Sequence, residues 1–232
     1  MDEIILIDKP AGITSFGVVA RVRRVLSEQL FTKTGEKRKV KVGHTGTLDP
    51  FATGLLILLT GKATKRSNEF LKMDKVYLAE LHLGATSTTG DPEGEIATTA
   101  LDAEPEASTE EPTHKAASEV LHSFIGQVKQ IPPIYSAIKI NGRRAYDLAR
   151  KGEEPDMPER TVSICSIDLV EYSYPKLIIR VHCSSGTYIR TLAEDIGKQL
   201  GCGAYLTALR REKIGDYQLE NAQTLKDLGI TS

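Results

Sequence analysis

The chain has no tryptophan, only five phenylalanines and only three cysteines among 232 residues. So few aromatics argue against a module that reads several consecutive bases by stacking them on a sheet. Cys165, Cys183 and Cys202 are odd in number and lack CxxC spacing, so neither a disulfide framework nor a zinc site is expected, and buried, reduced thiols are the expectation. The longest apolar run, Leu55 to Leu59, is far short of the roughly 20 residues of a membrane helix. Met1 to Leu6 is acidic where a secretory signal would be basic, which points to a soluble, cytoplasmic protein. No GxGxxG fingerprint occurs. Gly54 to Lys62 imitates a phosphate loop, but six residues separate its glycines where four are needed, and Ala63 stands where Ser or Thr should be.

What is present is an ordinary globular composition, 40% hydrophobic, enough to build a core. The net charge of -1 is unevenly spread. Arg21, Arg23, Arg24, Lys33, Lys37, Arg38, Lys39 and Lys41 face only Glu28 and Glu36, a balance that suits phosphate neutralisation as well as it suits a solvated face. Asp91, Glu93, Glu95, Asp102, Glu104, Glu106, Glu110 and Glu111 form an acidic stretch, expected to be a solvated loop without a role.

Periodicity gives mixed elements. Glu3 to Ile7 reads as a strand, and Thr14 or Ser15 caps a helix burying Val18, Val22, Val25 and Leu26, followed by a basic loop from Thr32 to Lys41. Leu55 to Thr60 has the composition of a strand buried on both faces, Lys62 to Met73 looks helical, and Val76 to Leu83 alternates with Tyr77, Ala79, Leu81 and Leu83 on one face. Thr113 caps a further helix, Gln127 to Ile140 is extended, Arg143 to Lys151 is a short helix, and Val162 to Tyr172 with Leu177 to Cys183 form a hairpin. A helix over Tyr188 to Leu200, a strand over Tyr205 to Ile214 and a closing helix over Asn221 to Leu228 complete the reading. Without a regular βαβ rhythm, the fold class is α+β on a large, mostly antiparallel sheet.

Residues 42 to 56, Val-Gly-His-Thr-Gly-Thr-Leu-Asp-Pro-Phe-Ala-Thr-Gly-Leu-Leu, are the most informative stretch. Gly43, Gly46 and Gly54 permit conformations and approaches that a β-carbon would block, and Pro50 biases Asp49 away from the α region. An isolated Asp-Pro is usually a turn former; three glycines, the hydroxyl and imidazole neighbours and the buried strand that follows make Asp49 a candidate reactive carboxylate.

Three long motifs lie in register along the chain: Asp8-Lys9-Pro10 with Gly12-Ile13-Thr14-Ser15; Gly43-His44-Thr45-Gly46-Thr47-Leu48-Asp49-Pro50; and Ser185-Gly186-Thr187-Tyr188-Ile189-Arg190-Thr191-Leu192. Lys75-Val76-Tyr77, Ile131-Pro132-Pro133-Ile134-Tyr135-Ser136-Ala137, Asn141-Gly142-Arg143-Arg144-Ala145-Tyr146 and Leu209-Arg210-Arg211 support them. Together they resemble the TruB family of bacterial tRNA pseudouridine-55 synthases over almost the whole chain.

The resemblance implies a single catalytic domain over 1–232 of the pseudouridine synthase fold, with a mobile, RNA-contacting insertion at about 127–152 and no PUA domain. It implies isomerisation of one T-loop uridine of tRNA, with no cofactor and no metal, by a monomer with no protein partner and no membrane. It assigns the essential catalytic role to Asp49, as nucleophile or in proton abstraction, and pairs it with Arg190, whose guanidinium would keep the acid ionised and oriented. A uridine inside a folded loop must be flipped out, at a cost of a few kcal/mol. Tyr77 matches the tyrosine that stacks on the flipped base and His44 the residue that fills the vacated space, while Lys9, Tyr188 and Leu209 line or support the pocket. By pattern alone, Tyr77 and Leu209 read equally well as core, Lys9 as an exposed turn residue and Arg190 as a surface helix arginine. A base-excising glycosidase, a noncatalytic RNA-binding protein and a synthase of the same fold acting on another RNA are the competing readings.

Overall fold

The computed structural model describes residues 2–35, 37–98, 111–136, 138–140, 142–149, 151–153 and 155–230. Asp102, Glu104, Glu106 and Glu110 of the acidic stretch, and Ala137, Asn141 and Arg150 of the insertion, lie outside the described residues. In chain order the first elements are β1 (Ile4–Lys9), α1 (Ser15–Thr34), β2 (Val42–His44), β3 (Thr53–Thr60), a 3-10 turn, α2 (Ser67–Leu71), β4 (Lys75–Leu83), β5 (Ala85–Ser87) and β6 (Ile96–Thr98). Then come α3 (His114–Ser123), β7 (Gly126–Gln130), β8 (Lys139–Ile140), β9 (Arg143–Arg144), α4 (Ala145–Ala149), β10 (Arg160–Ser173) and β11 (Lys176–Cys183). The last are α5 (Ile189–Gln199), β12 (Ala204–Ile214), β13 (Tyr217–Gln218), a second 3-10 turn and β14 (Gln223–Thr224). This is the α+β class with a large mixed sheet.

The chain forms two compact units, Met1–Tyr77 with Leu209–Ser232, and Leu78–Ala208, so the boundaries fall inside β4 and β12. In the first unit the sheet order is β14-β1-β3-β12. β1 is antiparallel to β3 and parallel to β14; β12 is parallel to β3. β3 is buried on both faces, as its unbroken apolar run requires. Leu56 and Leu58 pack with Val18, Val19, Val22 and Leu26 of α1, while Leu55, Ile57 and Leu59 pack with Phe70 and Ile214. Thr14 caps α1, its hydroxyl accepting from Gly17 N at 2.9 Å. The helix runs on to Thr34, taking in the first three residues of the expected basic loop, and ends at Gly35 with φ 73°.

In the second unit β11, β10 and β7 are neighbours, β10 antiparallel to both. The alternation of β4 is as expected, with Tyr77, Ala79, Leu81 and Leu83 buried. α3 starts at the Thr113 cap. The insertion carries the β8–β9 pair and the short α4.

Two expectations are corrected. The closing helix does not form: Thr224 N donates to Asp227 Oδ2 at 2.8 Å and Asp227 N to Thr224 Oγ1 at 3.2 Å, which closes a tight local turn, while Gln223 and Thr224 pair with β1. Side chains of this kind compete with the helix for the backbone. Of the thiols, Cys183 and Cys202 are buried but Cys165 is exposed, because it lies on an outward-facing position of β10.

Candidate active site

In the first unit the Asp49 turn links β2 to β3 and is held from three sides. Ser15, the first residue of α1, accepts from Leu48 N at 2.8 Å and donates to Leu48 O at 3.0 Å. Lys9 is fully buried, and its ammonium donates to Pro10 O at 2.8 Å, Ile13 O at 2.7 Å and Pro50 O at 3.2 Å. Gly12 N adds a second bond to Pro50 O at 2.9 Å. Arg211, 1% exposed, donates through Nε to Leu55 O at 2.7 Å, through Nη2 to Gly46 O at 3.1 Å and through Nη1 to Thr47 O at 3.5 Å. Buried cations are tolerated only where their donors are met. Here the carbonyls of Gly46, Thr47, Pro50 and Leu55 belong to the turn and its flanks and those of Pro10 and Ile13 to the loop between β1 and α1, so the buried cations tie that loop to the backbone around Asp49, itself half-buried.

Adjacent to this frame, Arg210 forks onto Asp8, Nη1 to Oδ1 at 3.2 Å and Nη2 to Oδ2 at 2.8 Å, and also reaches Thr53 Oγ1 at 3.2 Å. The Asp-Lys-Pro and Leu-Arg-Arg motifs are thus two halves of one scaffold around the turn. Gly54 is demanded by that scaffold: it has φ 102°, lies opposite Arg211 in the β3–β12 register, and a β-carbon there would meet Arg211 O at 2.4 Å. Gly43, by contrast, sits in β2 with nothing within 4 Å of a β-carbon, so space does not require glycine there.

The remaining expected residues of this unit have plain positions. His44 is half-buried and its Nδ1 accepts from Gly46 N at 3.4 Å. Tyr77 on β4 is 9% exposed and Leu209 on β12 is 8% exposed.

In the second unit Arg190, in the first turn of α5, is not a surface helix arginine. It is 5% exposed and donates through Nη1 to Thr89 O at 3.0 Å and Asp91 Oδ2 at 3.1 Å, and through Nη2 to Tyr135 O at 2.8 Å. Asp91, expected in a solvated loop, is buried at 3% exposure, and its Oδ1 accepts from Thr89 Oγ1 at 2.6 Å and Glu93 N at 3.0 Å. The acidic stretch therefore begins with a structural carboxylate, because the buried guanidinium needs a counter-charge. Tyr188 precedes α5 and is fixed through its backbone by buried Gln130, whose Nε2 donates to Tyr188 O at 3.2 Å and whose Oε1 accepts from Tyr188 N at 3.0 Å.

The family model described as TruB family pseudouridylate synthase, N-terminal domain, matches residues 32–189, and that of the tRNA pseudouridylate synthase B C-terminal domain matches 190–230. The chain belongs to the TruB family. It is 47% identical over 224 residues to tRNA pseudouridine synthase B of Phocaeicola vulgatus, covering 97% of this chain and 90% of that one. It is 48% identical over 229 residues to the protein of that name from Dechloromonas aromatica, covering 98% of this chain and 70% of that one. Among solved structures it is similar to a chain of a Cbf5-Nop10-Gar1 complex, with TM-score 0.70 and 29% identity over 97% of this chain, which spans 52% of that one.

The sequence pointed to Asp49, Arg190 and Tyr188 but not to the roles of the residues that hold them: Ser15 and Arg211 for the Asp49 turn, Asp91 for Arg190 and Gln130 for Tyr188. Asp91 carried a signal, since Gly90-Asp91-Pro92 repeats the Asp-Pro turn chemistry of Asp49-Pro50.

Proposed function

We propose that the protein isomerises a uridine of tRNA to pseudouridine, at the T-loop position 55, with Asp49 as the essential catalytic residue. The observation that carries this reading is the Asp49 turn, whose flanks are pinned by Ser15, Lys9 and Arg211 in a chain of the TruB family. The reaction breaks the N1–C1′ bond of the uridine and forms a C5–C1′ bond; C5 loses a proton, N1 gains one, and nothing is oxidised or reduced. A single aimed carboxylate suits this, either by adding to the sugar or by removing a proton there, and rigidity matters because misplacement by about 1 Å can cost a hundredfold in rate.

Arg190 is the second catalytic group in this reading, held by Asp91 and two carbonyls so that its guanidinium has a fixed direction. Tyr77 stacks on the flipped base and His44 fills the space it vacates. Tyr188 and Leu209 line the pocket, and Lys9 acts through the backbone of Pro50 as a positioning residue. The insertion at about 127–152 contacts the RNA through Lys139 and Arg144; Arg143 already pairs with Glu153 at 2.9 Å.

The test is incubation with an unmodified tRNA transcript followed by chemical mapping of pseudouridine. Modification is expected at the T-loop uridine alone, absent with Asp49→Ala and slowed roughly 100-fold or more with Arg190→Ala. Release of free uracil would show a glycosidase instead, and turnover that survives the Asp49 change would remove the catalytic assignment.

A further inference from the structure

On the outer side of α1 the first unit holds a cleft of about 500 Å³, lined in large part by Arg23, Arg24, Phe31, Lys37, Arg38 and Lys39. The segment carrying the last three is anchored. Val40 packs into the α1 core at 7% exposure, and its N–H donates at 3.0 Å to Ser27 Oγ, which in turn donates to Arg23 O at 2.7 Å. Lys37 Nζ lies 5.9 Å from the centroid of the Phe31 ring, within reach of a cation–π attraction. Glu28 is the sole anion of the lining. Among the described residues no carboxylate within 4.0 Å pairs with any of the five cations. Like charges gathered this closely repel one another, and that repulsion is relieved when a polyanion displaces their counterions.

We propose that this cleft is a second phosphate-binding surface, which takes the sugar-phosphate backbone of the RNA substrate away from the base being modified. It rests on the reading of the protein as an RNA-modifying enzyme. Ser15, which holds the catalytic turn, and one wall of the cleft, Ala20 to Phe31, share α1; with a rise of about 1.5 Å per residue that wall begins about 8 Å and ends about 24 Å along the helix from Ser15. That span is too long for the flipped nucleotide itself and suits a neighbouring run of backbone phosphates. Planar guanidinium forks on Arg23, Arg24 and Arg38 match phosphate oxygens, and no ring in the cleft other than Phe31 offers a base a stacking face, so the contact is to backbone and carries no sequence preference.

The experiment compares the wild type with Arg24→Gln/Lys37→Gln/Arg38→Gln, and with a control that removes as much charge elsewhere, Lys65→Gln/Lys72→Gln/Lys115→Gln. Equilibrium binding to unmodified tRNA transcript is measured over a salt series from roughly 50 to 200 mM, with a slope of about 0.9 expected for each duplex phosphate neutralised. The cleft variant should bind about tenfold more weakly at the low-salt end, with its log–log slope reduced by about 2 to 3, while kcat at saturating tRNA is unchanged and KM rises in step. The control should lose less than about twofold. The altered residues are exposed, so unfolding temperatures should stay together; single Arg24→Gln and Lys37→Gln variants, each lowering the slope by about 0.9, serve if the triple variant does not fold. An unchanged slope, an equal loss in the control, or weakened binding of poly-glutamate with tRNA affinity intact would overturn the proposal. Binding is read without turnover, so a slope change without pseudouridine would sink the isomerase reading and keep the cleft, and turnover with an unchanged slope would do the reverse.

Discussion

At the scale of single residues, the surroundings of Asp49 and Arg190 depend on side chains whose work is to hold others. Asp91 and Arg190 are both at or below 5% exposure and 3.1 Å apart. Asp91→Ala removes a buried carboxylate that bonds Arg190, Thr89 and Glu93 at once, so it should lower stability by about 3 kcal/mol, read as a lower urea midpoint, together with slower modification. A variant as stable as the wild type would mean that Arg190 is neutralised by other means. The sequence named Asp49 and Arg190 because their motifs are long and local. It did not name Asp91 as the support of Arg190, because the two lie 99 positions apart and Asp91 begins a run of acids that looks solvated. Lys9 was legible only as part of a motif: a lysine in a Pro-Gly turn is ordinarily exposed, and carbonyls converging on its ammonium, those of Pro10, Ile13 and Pro50 among them, help to make its burial tolerable.

Among the elements, local rules carried far. The Thr14 and Thr113 caps, the doubly buried β3 and the alternation of β4 all follow from side-chain type and spacing. The end of the chain did not follow, because Thr224 and Asp227 bond their own backbone and the free edge of β1 takes up Gln223 and Thr224. The exacting point is where β3 leaves the Asp49 turn. Gly54→Ala would put a β-carbon 2.4 Å from the carbonyl oxygen of Arg211 at φ 102°, so the two strands must part. A loss of about 2 kcal/mol or more is expected by thermal or urea unfolding, with activity falling further than stability because Arg211 also holds Gly46 and Thr47. Wild-type activity in that variant would show that the β3–β12 register is not what aims Asp49.

For the molecule as a whole, stability should depend on pH through the acids beside Arg190. Burial, then the negative charges of Asp195 and Asp91, push Glu194 above its ordinary 4.5, against the pull of Arg190; burial likewise raises Asp195. A raised carboxyl binds its proton more tightly in the folded state, so its stabilising contribution is complete below the ordinary carboxylate range and is lost as pH rises through the folded value. Glu194→Gln should flatten the curve of urea midpoint against pH on the acidic side of neutrality and leave the protein no less stable at pH 7; a steeper curve would contradict the assignment. The division into two units was not legible, because each is closed by strands that the chain enters and leaves far apart in sequence. That return path also orders events in time. Arg211 fastens Gly46 from 165 positions further along the chain, so a nascent polypeptide on the ribosome displays Asp49 long before the arginine that locks its loop has been translated. Newly made protein should therefore gain activity only once synthesis has passed β12, which ribosome-bound chains of increasing length assayed for pseudouridine would show.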